Sequence, residues 1–140
     1  MTKINLEMAK EMIAGAEKKA NEIGVPMVIT IVDEGGNFIA SHRMDDALLV
    51  SIDIALNKAW TSVALKMPTN NLPRLTEPGG ELYGINTTNN SRIVVFGGGI
   101  PLEEDGKIVG AVGVSGGSVA HDIEVAEAAV SVFETLLINK

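Results

Sequence analysis

Two histidines, an arginine beside paired aspartates, one lysine on an unusual helical face and two glycine-rich junctions could do chemistry in this 140-residue chain. His42 and His121 are the only imidazoles, and there is no cysteine. Two histidines without thiolates do not complete a zinc site, whereas an iron with an open axial position needs only one. The alternative for each ring is solvation or a structural hydrogen bond. His42 is the candidate metal ligand. Met44 carries a thioether that can also ligate iron, or that simply fills space. Arg43 offers a planar fork for a carboxylate; with Asp45 and Asp46 it could instead hold a strand-to-helix corner as an ion pair. Lys58 is a second candidate cation for an anionic ligand, or a lysine whose stem runs along apolar surface.

The glycines pose a separate question. In "GVSGGSVAHD" a β-rich run stops at Gly116 and Gly117, and a helical pattern begins with Ser118 as its natural N-cap. Free backbone N–H groups and the positive end of the helix dipole favour an anion at such a place. The spacing is neither G-x-G-x-x-G nor a P-loop, so a capped turn and an anion contact both stand. "FGGGIP" places three glycines, Gly97–Gly99, before Ile100 and Pro101. Each costs roughly 0.5–1 kcal/mol against alanine within an element. The compensation is a bulge, close backbone packing or a flat ligand. The ligand reading has both glycine segments bordering one hollow lined by a few cations. Ser115 and His121 lack a third partner for a nucleophilic triad.

These groups need a frame. Leu6, Ala9, Ile13, Ala16 and Ala20 repeat at helical spacing between Asn5, a good N-cap, and Gly24, a good stop. Two β-branched runs, about Met27–Val32 and Phe38–Arg43, flank "DEGGN" and predict a hairpin. Ala47–Lys66 reads as a long helix whose apolar face carries Leu48, Ile52, Leu56, Ala59, Val63 and Met67. The opposite face, around Lys58, bears Ala47, Ser51, Ile54, Ser62 and Leu65. A helix packed on one core does not need two such faces, so a subunit or a ligand is expected to cover the second. Prolines and glycines from Met67 to Asn86 predict turns and loop. Further strands are expected near Arg92–Phe96, Ile100–Leu102 and Lys107–Ser115, and a last amphipathic helix from Ser118 to Asn139. Hairpin-linked strands with flanking helices predict an α+β fold on an antiparallel sheet, in one domain spanning 1–140.

Composition narrows the partners. The formal charge of −7 comes with no basic tract, which argues against nucleic acid. No run approaches the roughly 18–20 apolar residues of a membrane span, and the charged opening "MTKINLEMAK" lacks an apolar signal core. A cytoplasmic protein is the expectation.

Four stretches, "VDEGGNFIASHRMDDA", "SIDIALNKAWTSVALKM", "VVFGGGIPLEEDGKIVGAVGVSGGS" and "HDIEVAEAAV", together resemble the GlcG/HbpS-like family, and the likeness runs from Asn5 to about Val132. That family includes the C-terminal domain of PduO and small proteins encoded beside glycerol and diol dehydratases, which this chain resembles most. The resemblance implies a profilin-like α+β fold, with a five-stranded antiparallel sheet flanked by helices and assembled as dimers or larger oligomers. It implies a non-catalytic accessory protein for haem or a corrinoid, with a scaffold for dehydratase-associated proteins, or an enzyme on a small acid or tetrapyrrole, as alternatives. Carried onto this sequence, the pocket residues are Arg43, Met44, Asp45, Lys58, Gly98, Gly99, Pro101, Ser115, Gly116 and Gly117, with His42 as the axial candidate. Where relatives often carry histidine after the two hairpin glycines, this chain has Asn37. Five positions separate Asn37 from His42, so on a regular strand they face opposite sides.

Overall fold

A computed structural model describes residues 2–139. Helix α1 (Leu6–Ile23) leads to strands β1 (Val28–Asp33) and β2 (Phe38–Arg43), then helix α2 (Val50–Leu65). A long irregular arm holds three 3-10 turns and a one-turn helix α3 (Pro73–Thr76). Strands β3 (Gly99–Glu104) and β4 (Lys107–Ser115) and helix α4 (Val119–Ile138) follow. All pairings are antiparallel, in the order β2-β1-β4-β3. The fold class is α+β, as the sequence predicts.

Local chemistry sets the boundaries. Asn5 Oδ1 accepts from Met8 N–H at 2.8 Å, and Gly24 closes α1 at φ 81°. Asp33 folds the first hairpin by accepting from Gly35 and Asn37 N–H, each at 2.9 Å. The β1–β2 ladder shifts register between Ile31 and Val32, and Ile39 and Ala40 both pack on the same core. This bulge breaks the strict alternation. The parity count from Asn37 to His42 therefore does not hold.

Alternation along the strands otherwise sorts two faces. Ile29, Ile31, Val112 and Val114 join the buried face of α1 and α4 in the main core. Each such aliphatic side chain, fully buried, stabilises by roughly 1.5–3 kcal/mol. Val28, Val32 and Ala111 look the other way, towards Ala55 and Ala59 of α2. The sheet thus lies between an α1/α4 layer and α2.

Two expectations are corrected here. The sheet has four strands, not five: the apolar run Arg92–Phe96 does not join it. Side chains of α2 hold that run instead. Val94 N–H donates to Thr61 Oγ1 (3.1 Å), Arg92 Nε donates to Asn57 Oδ1 (2.8 Å), and the Arg92 guanidinium lies 4.4 Å from the Trp60 ring centre.

The second correction concerns α2, which begins at Val50 and is turned the other way round. Ser51, Lys58 and Ser62, on the face expected to need a foreign cover, are buried against the sheet. Leu48 and Ile52, expected in the core, are 59% and 45% exposed. The cause lies in β3 and β4. A Cβ on Gly113 would collide with the Ala55 carbonyl, and one on Gly99 with the Lys58 carbonyl. Backbone meets backbone there, so only the small-residue side of α2 can come so close. None of the described helices is long and apolar enough to cross a membrane.

Candidate functional site

The candidate residues separate into two groups. One surrounds a buried ion pair. Lys58 Nζ donates to Asp122 Oδ2 at 2.9 Å and to the Val114 carbonyl at 2.8 Å, and lies 4.9 Å from the Phe96 ring centre. The glycines are built round this pair. A Cβ on Gly98 would stand 2.6 Å from the Val114 carbonyl oxygen and 2.7 Å from Lys58 Nζ. Gly99 N–H donates to Thr69 Oγ1 (2.9 Å), and Ser115 donates to Ser51 Oγ (2.9 Å). Pro101 is buried further along β3, opposite Ala111. The hollow expected between the two glycine segments is filled by the lysine.

The start of α4 answers the question of the anion. Ser118 Oγ accepts from His121 N–H at 3.2 Å, and Asp122 Oδ1 accepts from Gly117 N–H at 2.9 Å. The negative charge at this helix end is the chain's own. Burial pushes Lys58 below its ordinary range, and the Asp122 carboxylate beside it pulls back. Burial likewise pushes Asp122 up, opposed by Lys58 and the amides of Gly117 and Gly116. Nothing in a linear reading joined Asp122 to Lys58. A lone lysine on a small-residue face was the available signal, since a buried cation needs a buried partner.

The second group forms a cleft of about 570 Å³ between the end of α1 and the corner after β2. Val25 and Pro26 wall it, and His42, Arg43, Met44 and Asp45 line its other side. Arg43 does not pair with the aspartates; its Nε and Nη2 both donate to the Ala47 carbonyl, at 3.2 and 2.9 Å. Met44 is turned inward, its Sδ accepting from Met27 N–H at 3.4 Å. His42 stands on the edge strand, 54% exposed, with Nδ1 2.8 Å from Glu17 Oε1. Glu17 sits on the polar side of α1, 25 residues earlier in the chain, so spacing gave no sign of it.

The two groups share one end of the sheet. Arg43, Val28 and Ser115 form a row across β2, β1 and β4, roughly 10 Å from end to end at ordinary strand spacing. Cβ atoms on Gly116 and Gly117 would press on the Val25–Met27 segment. The glycine loop therefore backs the cleft wall, and the imidazole stands on the α1 side of the sheet, whereas Arg43, paired with Val28, turns its guanidinium to Ala47 on the α2 side.

The family model described as haem degrading protein HbpS-like matches residues 4–131. The chain belongs to the HbpS-like family. Among HbpS-like relatives, an uncharacterised 15.0 kDa protein of the dhaT-dhaS intergenic region of Citrobacter freundii is 49% identical, over 95% of this chain and 94% of that one. The crystal structure of Klebsiella pneumoniae protein ORFY matches with a TM-score of 0.93 and 44% identity, covering 96% of this chain and 93% of its own. The crystal structure of a PduOC:heme complex matches with a TM-score of 0.90 and 38% identity, covering 94% of this chain and 95% of its own.

Proposed function

We propose that this chain is a haem-binding accessory protein, and that the corner cleft takes the cofactor. The observation that carries the reading is the His42 ring at the cleft edge, held at Nδ1 by Glu17. A neutral imidazole so held keeps Nε2 for a metal. The cleft volume lies in the range of small-molecule sites. Val25 and Pro26 supply apolar wall. The imidazole fits an iron at the centre of a planar macrocycle, and the carboxylates of Glu17, Asp45 and Asp46 on the cleft lining require that the macrocycle's own acid groups point outward to solvent. When bound, haem supplies a Lewis-acidic iron and redox chemistry; the protein supplies a ligand atom and a wall. The heme complex of PduOC supports haem as the kind of ligand.

Titration with hemin, read by absorbance, tests this. The expected result is a Soret band distinct from free hemin that saturates at one haem per chain and shifts in His42→Ala. A wild-type spectrum matching free hemin overturns the proposal. Parallel titration with a corrinoid decides whether the cleft takes that second cofactor, and co-purification with a dehydratase tests the pathway link.

A second reading, association with further copies of the chain, is favoured by one feature. Leu48, Leu49, Val50 and Ile52 are consecutive or one turn apart and 45–72% exposed at the start of α2. Apolar ground of this kind marks interaction surface.

A further inference from the structure

We infer that Glu17 is the positioning residue that decides which nitrogen of His42 faces a metal. The inference rests on the haem reading above and deepens it. A neutral imidazole carries one N–H, on either nitrogen, and an ionised carboxylate can only accept. With Nδ1 at 2.8 Å from Glu17 Oε1, the hydrogen belongs on Nδ1 and the lone pair on Nε2. His42 is on an edge strand and more than half exposed, so the packing round it does not fix the ring by itself. The bond from α1 does. Carboxylate-bound histidines of this type have a set tautomer, a set ring angle and a more basic ligand nitrogen.

A structural staple between α1 and β2 would use the same bond, and the two roles give different results. With 54% and 32% of the side chains exposed, the contact adds little to folding, so Glu17→Ala stays folded. Glu17→Gln keeps an acceptor oxygen but adds an amide NH2 that can donate to Nδ1, so it is expected to recover a positioning role only in part.

The test has two readouts. Ring 15N shifts of His42 in the haem-free protein, at a pH where the imidazole is neutral, report the tautomer directly. Wild type is expected to show hydrogen on Nδ1, Glu17→Ala a mixture, and Glu17→Gln a population between the two. Hemin affinity is expected to fall about 10–100-fold in Glu17→Ala, with Glu17→Gln between that and wild type. Wild-type His42 with hydrogen on Nε2 overturns the inference, as does a Glu17→Ala protein matching wild type in both readouts. If His42→Ala instead leaves the hemin spectrum unchanged, the iron-ligand reading fails, and with it any metal for Glu17 to serve, even where the 15N shifts keep the hydrogen on Nδ1.

Discussion

Lys58 Nζ donates to Asp122 Oδ2 across 2.9 Å, with 1% and 5% of the two side chains exposed. The pair ties α2 to the first turn of α4 and satisfies the Val114 carbonyl and the Gly117 amide at the same time. Charges buried this deeply are held by each other. Removing one leaves its partner in a medium that cannot solvate it.

Lys58→Met or Asp122→Asn alone is therefore expected to lower unfolding free energy by about 3–5 kcal/mol. The double variant Lys58→Met/Asp122→Asn is expected to lose less than the sum of the two. Urea denaturation of the four proteins checks this; additive losses would show that the two residues act independently.

The pH dependence of Lys58→Met follows from the sign of the Asp122 shift. Burial already raises that carboxyl above its ordinary 3.8, and loss of the lysine raises it further. A raised folded value means that the folded state binds the extra proton in the window above 3.8. Stability from that group is present in acid and lost as pH rises through the raised value. The deficit of Lys58→Met against wild type is thus expected to shrink as pH falls into the carboxylate range, read by thermal melts across pH.

Gly113→Ala and Gly24→Ala separate two uses of glycine. At Gly113 the new methyl meets the Ala55 carbonyl, and overpacking against main chain costs about 3 kcal/mol. At Gly24 nothing lies within reach and only the left-handed backbone, φ 81°, resists. That conformation costs about 1–2 kcal/mol. Chemical denaturation ranks them.

At the corner cleft, the Arg43 guanidinium turns to the Ala47 carbonyl on the α2 side, so Arg43→Ala is expected to change hemin binding by less than about tenfold. Met44→Leu is expected to leave the band position unchanged, because that sulfur faces Met27. A shifted band in Met44→Leu would make the thioether an iron ligand.

Much of this was legible from one dimension. The cap at Asn5, the stop at Gly24, the "DEGGN" turn and the cap at Ser118 are local chemistry, and each stands where the residues predict. What failed was non-local. Arg92–Phe96 has the composition of a strand but is held by Thr61, Asn57 and Trp60, none of which its own sequence reveals. The rotation of α2 depends on glycines some 40 to 60 residues further on. Hydrophobic periodicity finds the greasier face of a helix, whereas distance of approach chose the smaller one. In the corner, the sequence picked out His42, Arg43 and Met44 but not Glu17, the residue that gives the imidazole a direction.

The obstacle at Gly113 and Gly99 is a carbonyl of the neighbouring helix, and main chain cannot be trimmed by changing any codon. Most interior positions can drift when a neighbour shrinks to make room. These two have no such neighbour, so descendants of this protein can alter them only by lifting the whole helix away, a step with no gradual route.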